Sequence, residues 1–216
     1  VSMMEHLESS GTFVVNPTYA YQKAKDKYSM IYTLAKAGLP IPRTYVTEMA
    51  HWAYRASQSL KQVVCKPIVG SLGFGSMKFS DVDLAFNAYK TLERLGQPIY
   101  FQEYLEKPGR DIRAFVIGES VLASMCRVAA SGEWKTNVAQ GAQTRPIQLS
   151  EELKEIALKA TKALDLFYAG VDILETEHGP IPIEVNGSPS WQGLQKTTGI
   201  NVAEQLVQFV VDFVRH

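Results

Sequence analysis

The chain has 216 residues, of which 46% are hydrophobic, and its 22 Lys and Arg balance 22 Asp and Glu. Zero net charge excludes broad, charge-driven nucleic-acid binding, because each neutralised phosphate asks for its own Lys or Arg. No run approaches the ~18 apolar residues of a membrane helix and no basic segment leads into an apolar one, so the chain reads as a soluble, cytoplasmic protein with neither a membrane nor a nucleic-acid partner.

The first fifteen residues show neither helical nor strand periodicity and read as the remnant of an upstream segment, 1–15, ahead of one domain over 16–216. Asn16-Pro17 offers an N-cap followed by proline at the first helical position. Tyr19, Ala20, Ala24, Tyr28, Ile31, Leu34 and Ala35 then recur at helical spacing, which predicts one helix closed by Gly38. Leu39 to Val46 is extended, Glu48 to Leu60 a short helix, and Gln62 to Val69 a buried strand containing Lys66-Pro67. The segment Gly70-Ser71-Leu72-Gly73-Phe74-Gly75 separates that strand from the short apolar run Met77 to Phe79. Asp81 to Leu95 reads as helix and Pro98 to Leu105 as strand. Arg110 to Ile117, a Gly118-Glu119 turn and Ser120 to Ala130 form a hairpin, and 131–149 a polar loop. Ser150 caps a helix to about Leu166, with Glu151 and Glu152 in the first turn, where the helix dipole favours negative charge. Tyr168 to Thr176 and Ile181 to Asn186 make a second hairpin, and an apolar helix runs from Val202 to Val214. Strands arriving as hairpins among helices predict an α+β fold with antiparallel sheets. Cys65 and Cys126 lie in apolar strand-like runs without a CxxC pair, and the histidines show no metal spacing, so neither a thiol enzyme nor a zinc site is expected.

Three groups of residues carry chemistry. If Asp172 pairs with Glu184 across the second hairpin, through the five-residue connection Thr176 to Pro180, then Asp172, Glu184 and Asn186 project from one face. Facing carboxylates repel unless a cation lies between them, and hard oxygen ligands suit magnesium or manganese; a solvated strand face is the plain alternative. The apolar flanks Val171, Ile173, Ile183 and Val185 put the opposite face in a core. The glycine loop at 70–75 matches neither a dinucleotide nor a P-loop pattern, and with Lys66 upstream it reads either as a lid over phosphates or as a plain hairpin loop. The strand end Gln102-Glu103-Tyr104-Leu105 can hold a flat heterocycle or be an ordinary edge. Arg113 and Arg127, on the two strands of the first hairpin, either pair with local acids or bind phosphate and carboxylate oxygens.

In order along the chain, Lys27, Lys66 before the glycine loop, Glu103-Tyr104-Leu105, Gly109-Arg110-Asp111-Ile112-Arg113, Lys135-Thr136-Asn137, Ala169-Gly170-Val171-Asp172-Ile173 and Glu184-Val185-Asn186 resemble the ATP-grasp ligases. With Lys196-Thr197-Thr198-Gly199-Ile200, the resemblance is to their RimK branch of glutamate ligases, from about Asn16 to the C-terminus. It implies two α+β lobes, about 39–105 and about 106–216, whose antiparallel sheets grip ATP, and an N-terminal domain that this sequence does not contain. By the same resemblance Lys27, Lys66, Gly73 and Gly75 hold the phosphates, and the main chain of Glu103, Tyr104 and Leu105 the adenine. Asp111 lies on the ribose side, and Arg127, Lys135 and Asn137 reach the triphosphate. Arg113 faces the substrate or its acyl phosphate, and Asp172, Glu184 and Asn186 coordinate magnesium or manganese.

The implied activity is ATP-dependent ligation of an amine, that of glutamate, to a carboxylate through an acyl phosphate, giving ADP and phosphate. The acceptor is either a small cofactor of pterin or deazaflavin type or a protein C-terminal tail, with Trp191 and Gln192 on its side of the site. Departures bear on that acceptor: Lys135 stands where relatives often carry Arg, Gln140-Gly141-Ala142 replaces Arg-Gly-Gly, and Ser188-Pro189-Ser190-Trp191 differs from Ser-Pro-Gly. An ATP-binding regulatory module without turnover is the rival reading, and a homo-oligomer is left open.

Overall fold

The computed structural model describes residues 2–70, 73–130, 133–136 and 141–215. It divides into two compact units, one running from Ile41 to Glu106 and the other comprising the chain before and after it. No helix among the described residues is long and apolar enough to cross a membrane.

The second of these units begins with α1 (Ser2–Ser9), α2 (Thr18–Lys25) and α3 (Lys27–Lys36). The helix α1 lies where the sequence shows no helical period. Eight residues are marginal as an isolated helix, and long-range contacts hold this one: Thr18 N–H donates to Glu8 Oε1 at 2.8 Å, and Gln22 Nε2 to Glu5 Oε1 at 3.0 Å. The single helix expected over 17–38 is two, because Asp26 takes extended dihedrals, φ −85° and ψ 109°, and its carboxylate accepts the Ser29 N–H at 2.7 Å. Helical periodicity reads straight through such a break, since Asp26 lies off the apolar stripe. Asn16, expected to cap, is instead a buried cross-link. Its amide donates to the Tyr168 and Gly187 carbonyls at 2.8 and 2.7 Å, and its oxygen accepts the Phe167 and Tyr168 N–H groups at 2.6 and 3.1 Å. Pro17 takes the N-cap position.

The unit Ile41–Glu106 contains β1 (Thr44–Thr47), α4 (Ala50–Ser57), β2 (Val63–Lys66), β3 (Met77–Phe79), α5 (Val82–Arg94) and β4 (Ile99–Glu103). Its strands form an antiparallel sheet in the order β1-β4-β2-β3. One face is apolar by strict alternation: Val63, Cys65, Ile99 and Phe101 pack with Ala50 and Ala53 of α4 and Ala85 and Tyr89 of α5. The opposite face carries Thr44, Val64, Lys66, Lys78 and Gln102, fixed by the pairs Val64 with Gln102 and with Lys78 and Thr44 with Gln102. Both cysteines are free and buried, and burial pushes the Cys65 thiol up to about 11. At pH 8 roughly one Cys65 in a thousand is then thiolate. The native chain is expected to leave both thiols unlabelled by a soluble disulfide reagent over an hour, whereas the urea-unfolded chain reacts in minutes; prompt native labelling would contradict this burial.

The rest of the chain contributes β5 (Arg110–Ile117), β6 (Ser120–Val128), β7 (Gln143–Pro146), α6 (Glu151–Ala163), β8 (Tyr168–Thr176), β9 (Gly179–Asn186), α7 (Gln192–Thr198) and α8 (Val202–Arg215). The sheet order is β7-β6-β5-β8-β9, antiparallel throughout. The strand β7 falls inside the expected polar loop. Its residues show no apolar alternation, and they are extended because the open edge of β6 pairs with them, with Pro146 at the end where a missing N–H is tolerated. As expected, Ser150 caps α6, its side chain accepting the Leu153 N–H. This helix lies against β5, β6, β8 and β9, and the fully buried Ile112, Ala114, Val171, Ile173 and Val185 occupy that side of the sheet.

The other side changes character along the strands. At one end Phe115, Ile117, Ala123, Met125 and Tyr168 form an apolar cluster with Leu194 of α7 and Val202 of α8. At the other end the same strands carry Asp111, Arg113, Arg127 and Asp172, and β9 adds Glu184 and Asn186. The helices α7 and α8 therefore pack over the apolar half.

Candidate functional site

The strand register collects the charged half of this face. Asp111 lies opposite Arg127, Arg113 opposite Asp172, Asp172 opposite Glu184, and Gly170 opposite Asn186. Directly paired residues point the same way, so the predicted pairing of Asp172 with Glu184 and the shared face with Asn186 are present. The route differs from the expected five-residue connection. Thr176 pairs with Gly179 across a two-residue turn, and a bulge at Ile183 restores the register between Ile173 and Asp172. Ile183 is only half-buried for that reason, while Val171, Ile173 and Val185 are fully buried.

Asp172 is 2% exposed and both its oxygens are engaged. Arg113 Nε donates to Oδ1 and Nη2 to Oδ2 at 2.9 Å, while Arg127 Nη2 reaches Oδ2 at 3.0 Å. Burial opposes ionisation of this carboxyl, but the guanidinium groups of Arg113 and Arg127 outweigh it and hold its pKa below the usual carboxylate range. Arg127 is likewise buried, which disfavours its charge, and the carboxylates of Asp172 and Asp111 overcome that and raise its pKa. The guanidinium of Arg113 passes over Gly170, where a Cβ would stand 2.9 Å from Nη1 and 2.8 Å from Pro189 Cβ. The Ala169-Gly170-Val171-Asp172 segment thus needs glycine in the second place to let the arginine lie flat.

Asp111, assigned to the ribose side, is 3% exposed and turned inward. It receives Arg127 Nε on Oδ1 at 2.6 Å and Nη2 on Oδ2 at 2.9 Å, and the Thr136 hydroxyl also donates to Oδ2. Both oxygens of its carboxylate are thus engaged within the protein, by Arg127 and Thr136. Lys107, which no motif marked, donates to Thr136 Oγ1 at 3.2 Å, and burial lowers the pKa of its ammonium. Lys27, the first residue of α3, stands 3.6 Å from Glu184 Oε1. Four cations, Lys27, Lys107, Arg113 and Arg127, therefore surround three carboxylates, Asp111, Asp172 and Glu184, leaving a local surplus of positive charge that suits an anion.

In the Ile41–Glu106 unit, Lys66 Nζ donates to the buried Gln102 Oε1 at 2.8 Å, and Gln102 Nε2 to Thr44 Oγ1 at 2.9 Å. Lys78, also unmarked by the sequence, sits 3.6 Å above the centre of the Tyr104 ring. Gly73 and Gly75 lie between β2 and β3 with φ of 72° and 73°, in the left-handed region, and a Cβ on Gly75 would come within 2.8 Å of Pro67. The Glu103 N–H donates to the Arg43 carbonyl and the Tyr104 N–H to the Gln62 carbonyl, each at 2.9 Å, and the Glu103 carboxylate holds Arg43 Nε at 2.6 Å. Along the main chain of Glu103 to Leu105, assigned to adenine, the Leu105 N–H has no partner among the described residues. Lys135 lies beside the Trp134 ring at 5.4 Å, and Asn137, Gln140 and part of the glycine loop fall outside the described residues. Trp191 packs against the apolar cluster of β5, β6 and β8, and Gln192 is exposed.

No three His, Cys, Asp or Glu side chains among the described residues could hold a metal by themselves. Asp172, Glu184 and the Asn186 amide are an oxygen-only set with two negative charges, which fits magnesium when further oxygens come from a nucleotide.

The family model of the RimK-like ATP-grasp domain matches residues 24–210. The chain is 36% identical over 236 residues to a protein of Methanosarcina acetivorans named tetrahydromethanopterin:alpha-L-glutamate ligase, covering 96% of this chain and 73% of that protein. It is 33% identical over 211 residues to a probable alpha-L-glutamate ligase of Haemophilus influenzae, covering 97% of this chain and 70% of the relative. Among solved structures it superposes with TM-score 0.74 and 25% identity on the ATP-grasp ligase PsnB complexed with a phosphomimetic variant of its minimal precursor, magnesium and ADP. That match covers 97% of this chain and 65% of PsnB, so the chain spans a little under two thirds of that structure. Two antiparallel sheets bearing the lysines, arginines and carboxylates described above accord with these matches, and the chain belongs to the RimK-like ATP-grasp family.

Proposed function

We propose that this chain performs ATP-dependent ligation of an amino acid, glutamate, to an acceptor carboxylate. The observation that carries the reading is the clustering of Lys27, Arg113 and Arg127 directly on Asp172 and Glu184, a cation-rich face beside an oxygen-only metal set, in a member of this family. Lys27 and Arg127 are the triphosphate-binding cations of the one unit; in the Ile41–Glu106 unit that role belongs to Lys66 and the main-chain N–H groups of the loop with Gly73 and Gly75. Leu105 N–H serves the adenine edge, and Lys135 and Asn137 the phosphates. Magnesium, or manganese, when held by Asp172, Glu184 and Asn186, neutralises phosphate charge.

An acceptor carboxylate oxygen bonds to the γ-phosphorus as the bond to the β-phosphate oxygen breaks, releasing ADP. The glutamate amine then adds to the acyl carbon, loses a proton, and phosphate departs with the C–O bond. Arg113, at the rim of the ion-pair cluster and aligned with Asp172, neutralises the carboxylate and then the acyl phosphate. Positioning and charge neutralisation, rather than a covalent enzyme intermediate, carry such a reaction. A pterin acceptor is supported by the name of the Methanosarcina acetivorans relative, a tetrahydromethanopterin:alpha-L-glutamate ligase, and a peptide acceptor by PsnB having been solved in complex with a precursor. Trp191, packed at the N-terminal end of α7, contributes its outer face to the acceptor side. ATP as the co-substrate accords with a cytoplasmic location.

The test is product analysis with ATP, magnesium, glutamate and either a tetrahydropterin carrying a carboxylate or a glutamate-ended peptide. Release of ADP and phosphate with a mass gain of one glutamyl residue is expected. Release of AMP and pyrophosphate would refute the acyl-phosphate route.

A further inference from the structure

Arg127 is shared between two carboxylates, and we propose that Asp111 and Thr136 are positioning residues that anchor it so that Asp172 can turn to a cation. The inference rests on the reading of Asp172 as a magnesium ligand. Asp111 and Thr136 are 3% and 4% exposed. Asp111 takes both Nε and Nη2 of Arg127, at 2.6 and 2.9 Å, and its Oδ2 accepts the Thr136 hydroxyl as well.

The direction of this chain is fixed by donor chemistry. An ammonium only donates, so Lys107, 3.2 Å from Thr136 Oγ1, obliges that hydroxyl to accept from it and to give its single proton to Asp111. Asp111 thereby collects two guanidinium contacts and a hydroxyl, and has no reason to leave. Arg127 has in consequence one permanent carboxylate and one exchangeable one, Asp172, reached by Nη2 at 3.0 Å. With Asp111 weakened, the attraction of a buried guanidinium falls on Asp172 alone, and a divalent cation must compete with Arg127 as well as Arg113 for the same oxygens. Thr136 follows Lys135 directly, so the residue pointing into the core also fixes the backbone next to that lysine.

The experiment is calorimetric titration of ADP into the full chain at a series of magnesium concentrations. It is expected to show magnesium-dependent binding in the parent and a half-saturating magnesium concentration raised about tenfold in Asp111→Asn, as loss of one charged hydrogen-bond partner implies. Thr136→Val changes no charge and is expected to raise it about threefold, while Thr136→Ser, which keeps the hydroxyl, behaves as the parent. ADP affinity without magnesium should change less than twofold in the Thr136 variants. A magnesium requirement unchanged in folded Asp111→Asn and Thr136→Val overturns the inference and leaves the metal reading standing. Parent binding indifferent to magnesium overturns both. If Asp111→Asn does not fold, the comparison of Thr136→Val with Thr136→Ser decides alone.

Discussion

Asp172→Asn is expected to lower the stability of the chain by about 3–5 kcal/mol, because it leaves the guanidinium of Arg113 without its carboxylate and that of Arg127 with Asp111 alone inside the protein. The side chains concerned are 3%, 5% and 13% exposed for Asp172, Arg127 and Arg113, so water cannot take over the lost interaction. Glu184→Gln provides the contrast. Glu184 is more exposed, and its ion pair with Lys27 spans 3.6 Å, so the change should cost about 1 kcal/mol or less while still removing a charge from the proposed metal set. Urea unfolding curves of the two variants measure this, and equal midpoints would contradict it. The same ion pairs set the acid limit. The folded pKa of Asp172 is depressed, so its contribution is complete above the unfolded value of about 3.9 and disappears as pH falls through the folded value. The parent should therefore lose stability below pH ~4 more steeply than Asp172→Asn does.

Lys66→Ala should raise the dissociation constant for ATP by one to two powers of ten, since a charge-assisted contact contributes about 1.5–3 kcal/mol. The lysine does not wander. Gln102, 2% exposed, accepts its ammonium at 2.8 Å and is itself fixed by Thr44 at 2.9 Å. Gln102→Leu keeps the charge and loses this tether, and a roughly threefold weakening is expected for ATP. Lys66→Ala should leave the fold intact, because the residue ends β2 and its side chain is outside the core formed by Val63, Cys65 and Phe101. Calorimetry giving equal affinities for parent and Lys66→Ala would remove the lysine from the phosphate site.

The local pattern of the chain is enough for most elements that carry their own apolar alternation or caps. The Asp81-capped helix, the Ser150-capped helix and both hairpins of the larger sheet follow from side chains a few residues apart. The face shared by Asp172, Glu184 and Asn186 is legible too: the two-residue turn alone would slip the register by one residue and flip the face, and the bulge at Ile183 restores the pairing that the longer connection gives.

Features whose cause lies far away in sequence were not legible. The helix over Ser2–Ser9 depends on Glu5 and Glu8 meeting Gln22 and Thr18, the strand Gln143–Pro146 on an open edge of β6, and Asn16 on backbone groups more than 150 residues away. The same holds at the site. Charge alone allows Arg113 and Arg127 either to pair with acids or to bind a ligand, and the fold pairs them with Asp172 and Asp111. Lys107 lies in no motif, and the contacts of Thr136 and Gln102, though both stand in marked segments, are not legible for a physical reason: a buried hydrogen-bond chain has no period. It exists only where strand register and loop closure bring single polar side chains into contact, and where burial makes leaving any one of them unpaired costly. The sequence by itself determined that Asp172, Glu184 and Asn186 share one strand face, because charge and strand parity are local; the tertiary structure decided which of the charges on that face hold one another, because that depends on distances between strands.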